Sequence, residues 1–61
     1  MAGMTYFEAW EYAIEYALAR GYTMVEGDIY HMVSPKGTRV YHIDELITAL
    51  VRKGLIWAGW Y

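Results

Sequence analysis

The stretch from Thr5 to Gly21, TYFEAWEYAIEYALARG, marks one helix at both ends and so constrains everything after it. Thr5 with Glu8 three residues later forms a capping box, in which each side chain accepts a backbone N–H the helix cannot use. Gly21 can take the left-handed conformation that ends a helix. At about 100° per residue, Phe7, Trp10, Ile14, Ala17 and Leu18 share one face, which is expected to point inward. Glu8, Glu11 and Glu15 form an acidic stripe. A third sector of Ala9, Tyr12, Ala13 and Tyr16 is expected to meet the edge of a sheet or a second molecule.

After this helix, β-branched and aromatic residues are interrupted twice by turn chemistry. Gly27-Asp28 suits a two-residue hairpin, and Ser34-Pro35-Lys36-Gly37 suits a type I turn followed by a left-handed glycine. The pattern predicts an antiparallel meander of three short strands near 22–26, 29–34 and 38–42. Pairing Glu26 with Ile29, and Ser34 with Thr38, puts Val25, Tyr30, Met32 and Val40 on one face. Met24, Ile29, His31, Val33, Arg39 and Tyr41 then share the other. Neither face is plainly polar, which disfavours a sheet with one wet side. A one-residue change in the second turn would move the third strand's side chains across.

The segment IDELITALVRKGL reads as a second helix. Asp44 is its expected N-cap, and Leu46, Ile47, Leu50 and Val51 form its apolar stripe. Arg52 and Lys53 complement its negative end, and Gly54 with Leu55 fits a Schellman stop in which Leu55 packs back on Leu50. The closing IWAGWY is a short fourth strand or an ordered aromatic tail. Gly59 would let Trp57 turn inward while Trp60 and Tyr61 face a contact. The fold expected for residues 1–61 is a single α+β domain with no linker or repeat.

A chain of this size supports only a marginal core, and it has no cysteine to staple one. Its apolar share of 57 % is more than such a core absorbs, so part of that surface is expected on the outside, where apolar patches mark interfaces. No charge-free run approaches the ~18–20 residues of a membrane span, and no basic region precedes an apolar one at the N-terminus. These features point to a soluble, unexported, cytoplasmic protein. Residues 1–28 set Glu8, Glu11, Glu15, Glu26 and Asp28 against Arg20; residues 29–61 set Lys36, Arg39, Arg52 and Lys53 against Asp44 and Glu45. The halves thus carry opposite signs, which suits head-to-tail or internal complementarity and opposes generic nucleic-acid binding.

Several constellations suggest chemistry without completing it. His31 and His42 fall on opposite faces in the expected register, and the shifted register does not oppose them either, so a joint metal site is not expected and no cofactor is implied. A single exposed stripe of glutamates lacks the second wall that would dry one carboxyl and leave another wet. Ser34 precedes Pro35 in a turn and has no acid–base relay, and the glycines are dispersed rather than gathered into a phosphate loop. An enzyme is therefore not expected.

The remaining reading is a small non-catalytic module that dimerises or docks on a larger protein through aromatic surface. Tyr12, Tyr16, Tyr41, Trp57, Trp60 and Tyr61 are its candidate contacts, because aromatic residues dominate interface energetics. Glu8, Glu11, Glu15, Glu26 and Asp28 would meet a basic partner. By analogy of size and charge alone, this suits a phage or mobile-element inhibitor of a host nuclease or defence complex, as anti-CRISPR proteins are. The alternative is a dimeric DNA- or RNA-binding regulator using the hairpin tip, with Lys36, Arg39, Arg52 and Lys53 as contacts.

Overall fold

Thr5 Oγ1 accepts the Glu8 N–H at 3.1 Å and Glu8 Oε1 accepts the Thr5 N–H at 2.9 Å, starting helix α1 (Tyr6–Ala19). Gly21, at φ +90°, ends it. The Tyr22 N–H reaches the Ala17 carbonyl and the Gly21 N–H reaches that of Leu18, the paired bonds of a Schellman motif. This computed structural model describes residues 3–37 and 39–57. Strands β1 (Thr23–Met24), β2 (His31–Val33) and β3 (Val40–His42) follow, and then helix α2 (Ile43–Arg52). The sheet order is β1-β2-β3 with both pairs antiparallel, so the fold is the expected α+β meander between two helices. Among the described residues, no helix is long and apolar enough to cross a membrane.

The strands are shorter than expected and both registers differ by one residue. In the first connection, the Asp28 N–H donates to the Val25 carbonyl across a turn with Gly27 at φ +75°, and the Asp28 carboxylate then accepts the Tyr30 N–H at 2.7 Å. The two turns in series lengthen the loop and pair Met24 with Met32. In the second, Gly37 donates to the Ser34 carbonyl and the Ser34 N–H donates to Arg39, one residue beyond the expected partner, Thr38, which lies outside the described residues. Ser34 closes this turn through its backbone; its buried hydroxyl makes no hydrogen bond.

These slips re-sort the sheet. Met32 pairs with Met24 and Tyr41, while His31 and Val33 pair with His42 and Val40. The Met32 face meets the helices, and Met32 is fully buried. On the other face Thr23 and Val40 are exposed and His31 and Val33 half-buried.

The largest departure is the face α1 turns inward. Of the expected inward face, Ala17 is buried and Trp10 and Ile14 pack half-buried against the core, but Phe7 and Leu18 are 70 % and 48 % exposed and Ala9 and Ala13 are buried in their place. Three alanines at four-residue spacing make a shallow groove along α1. Ile43, Ile47 and Leu50 of α2 join them and Met32 in one buried cluster. Close approach of the helices therefore decides the packing more than the bulk of the α1 side chains does. Tyr12 and Tyr16, in the sector expected at an edge or contact, lie half-buried against this core.

Helix α2 starts two residues earlier than an Asp44 cap would allow. His42 is its N-cap: Nδ1 accepts the Asp44 N–H at 3.0 Å, and Glu45 Oε1 accepts the His42 N–H at 3.2 Å. A second Schellman motif follows at Gly54 (φ +73°), with the Leu55 N–H on the Leu50 carbonyl, although the Leu55 side chain stays 46 % exposed. The chain then returns beside α1, where the Met4 N–H donates to the Trp57 carbonyl at 2.9 Å. Ile56, not Trp57, turns inward: Ile56 is 7 % exposed and Trp57 is 61 %. No strand forms over 55–57, and Trp60 and Tyr61 lie outside the described residues.

Candidate interaction surfaces

The helices run parallel. Their starts meet where the Tyr6 hydroxyl donates to the Asp44 carboxylate, and their ends meet where Ala17, Arg20, Leu50 and Lys53 line one cleft. Parallel helices place like dipole ends together, a cost that charges of the opposite sign offset. Glu8, Asp44 and Glu45 stand in the first turns, Arg52 in the last turn of α2, and Arg20 and Lys53 at the C-caps of the two helices. The 25–30 connection adds Glu26 and Asp28 to the first end. The hairpin tip lies at the other end, with Pro35 3.5 Å from where a side chain on Gly21 would begin. The chain's opposite-sign halves thus become opposite-sign ends.

At the acidic end the rings form a ladder. Tyr6 and Trp10 lie 5.7 Å apart, Trp10 and Tyr30 5.9 Å, Tyr30 and His42 6.2 Å, and His42 and His31 5.1 Å. Outside it Tyr6, Phe7, Trp10 and Ile29 line a groove of about 270 Å³. Phe7 is 70 % exposed, Ile29 65 % and Tyr30 52 %. Glu8 and Glu11 flank Phe7 on α1, and Glu26 and Asp28 precede Ile29. The acceptor carboxylate of Asp44 pushes the Tyr6 phenol up to about 12.

The histidines are cross-strand partners, correcting the expectation that no register would oppose them. Asp28 accepts from His31 Nδ1–H at 2.7 Å, and the Asp28 carboxyl is held below its ordinary range, chiefly by the Tyr30 N–H and further by His31. His42 Nδ1 is an acceptor, so the neutral ring carries its proton on Nε2. That tautomer presents no free lone pair to a metal. Among the described residues, no three histidine or acidic side chains converge on a common point. The pair is accounted for by the turn and the helix cap.

The other expected site residues fall into three groups. Glu8, Glu11, Glu15 and Glu26 are exposed, whereas half-buried Asp28 is engaged in its turn. Tyr12 stacks on Tyr16 at 6.4 Å, and Tyr41 is half-buried beside Tyr22 and under the Arg39 guanidinium. Lys36, Arg39, Arg52 and Lys53 gather at the basic end with Arg20, which sequence reasoning left out. Sequence reasoning also missed the Tyr6, Phe7, Trp10, Ile29 and Tyr30 cluster, because a hydrophobic count ranks Phe7 and Trp10 above alanine. The signal for it was the alanine spacing. Compared with protein-family models, curated proteins and solved structures, the chain matches none of them.

Proposed function

We propose that the protein is a small non-catalytic protein-binding module whose contact face is the Tyr6, Phe7, Trp10, Ile29 and Tyr30 cluster. The observation that carries this is the groove in which Phe7 of α1 and Ile29 of the β1–β2 connection lie exposed side by side. Two large apolar residues from separate elements, beside two tyrosines and a tryptophan, make an apolar centre. The surrounding carboxylates make a polar rim. The rim suits a protein with basic surface, and the reading as an inhibitor of a nuclease or defence complex rests on that charge and on small size.

The relocation from Tyr12 and Tyr16 has a physical basis. Those rings already cover the domain's own core, whereas Phe7 and Ile29 cover nothing comparable. The test compares wild type with a Phe7→Asp, Ile29→Asp double variant by sedimentation over a range of concentrations and by capture from native lysate. Because both residues are exposed, the variant should remain folded by circular dichroism. Loss of self-association or of a captured protein is the expected result; identical sedimentation and capture would remove this face from consideration.

A further inference from the structure

We propose that the opposite, basic end of the molecule binds single-stranded nucleic acid. Every lysine and arginine of the chain, Arg20, Lys36, Arg39, Arg52 and Lys53, lies there. Three chain segments bring them together: the end of α1, the β2–β3 hairpin and the end of α2. Gly21 against Pro35 joins the first to the second, and the cleft shared by Arg20 and Lys53 joins the first to the third.

Their charge is available. All five are exposed, and the ion pairs among the described residues are His31 with Asp28 and His42 with Asp44, which use none of them. Glu15 stands five residues before Arg20 on α1, and Glu45 lines one hollow with Arg52 and Lys53 on α2. The two helix C-termini contribute about half a negative charge each. Five cations outweigh that by a wide margin, so the local field is positive although the protein's net charge is −2.

Aromatic rings alternate with these cations. The Arg20 guanidinium lies 4.3 Å from the centre of the Tyr16 ring and that of Arg39 5.1 Å from Tyr41, while Tyr22 touches Tyr41 at 5.9 Å. Tyr16, Tyr22, Leu46, the buried Ala17, Arg20 and Lys53 all line one cleft of about 110 Å³. A closed cavity of about 150 Å³ takes one benzene-sized ring, so a cleft of this order, open on one side, admits the edge of a planar ring. Phosphates beside cations and a base against tyrosine are how sequence-tolerant single-strand binders work. A duplex keeps its base faces stacked inside and cannot use the cleft, and an acidic peptide offers charge without a ring.

The surface is separate from the aromatic face proposed above. The probe is fluorescein-labelled oligo(dT) of twenty nucleotides, followed by anisotropy between 20 and 200 mM salt. The matching duplex and a labelled oligoglutamate are parallel ligands. Binding that weakens with salt is expected, with a log–log slope up to about −3.5 for five neutralised phosphates. The single strand should be preferred to both other ligands. Lys36→Glu with Arg52→Glu, both exposed and outside the core, should lower affinity at 50 mM salt by on the order of tenfold or more and flatten the slope. Phe7→Asp with Ile29→Asp should leave binding unchanged, which keeps the two proposals distinguishable. No binding at 20 mM salt, equal or tighter binding of duplex or oligoglutamate, or indifference to charge reversal would each overturn the proposal.

Discussion

Replacing Ala13 with leucine is expected to destabilise the protein by about 1–3 kcal/mol, while the same replacement at Ala19 stays within ~0.5 kcal/mol. Ala13 is 0 % exposed in the cluster with Ile43, Ile47 and Leu50, so an isobutyl group must stand where a methyl fills the available space. Either α1 moves away from α2 or the new side chain leaves its preferred rotamer. Ala19 is exposed on the same helix, and leucine and alanine differ little in helix propensity. In a domain this small each kcal/mol moves Tm by about 4–8 °C, so Ala13→Leu should melt roughly 5–20 °C lower and Ala19→Leu close to wild type. Far-UV circular dichroism with heat and urea measures both. Phe7→Ala supplies the reciprocal test. A phenylalanine buries on the order of 200 Å² when fully covered. With Phe7 70 % exposed, only ~60 Å² is covered, worth at most ~1.5 kcal/mol against ~3–5 for a buried ring. If Ala13→Leu were tolerated as well as Ala19→Leu while Phe7→Ala cost more than ~3 kcal/mol, the large residues of α1 would face inward and the packing described here would be refuted.

The histidine cap of α2 is checked by substitution: His42→Ala should cost about 0.5–2 kcal/mol and His42→Asn much less, since asparagine supplies an N-cap acceptor. Equal losses would show that the ring's packing matters and the cap does not. Asp28 has a folded pKa below its ordinary value of 3.8, so its stabilising contribution is present above that value and is lost as pH falls through the folded one. Urea midpoints should therefore show an advantage of wild type over Asp28→Asn at neutral pH that narrows below about pH 4; parallel curves would exclude this role. Tyr6 is shifted the other way, to about 12, so its contribution is complete below pH 10 and lost as pH rises through the folded value. Phenolate absorbance should show a late-titrating tyrosine that disappears in Tyr6→Phe and moves earlier in Asp44→Asn; no change in the titration with either variant would contradict the hydrogen bond.

Local chemistry determined the elements of this protein. Thr5, Glu8 and Gly21 bound α1, and Gly54 with Leu55 stops α2, because caps are satisfied within a few residues of the chain. Pro35 and Gly37 make the second turn for the same reason. Pairing was less legible. The Asp28 carboxylate competes for the Tyr30 N–H, and that bond, two residues away in sequence, lengthens the first loop and displaces the register. In the second hairpin the Ser34 N–H bonds to Arg39 instead of Thr38, and that slip of one residue, which sends side chains to the other face, makes His31 and His42 partners.

What only the tertiary structure decided is which surface each element hides. Hydrophobicity ranks Phe7 above Ala13 residue by residue, but burial depends on how closely two helices approach, and that is a property of the pair. Burying the alanine groove against Ile47 and Leu50 leaves Phe7 outside, beside Ile29 from a distant turn. The same parallel packing turns an unequal spread of charge along the chain into an acidic aromatic end and a basic end. Charge and ring type were legible from residue identity, but their assembly into surfaces required distances between segments that no local interaction sets.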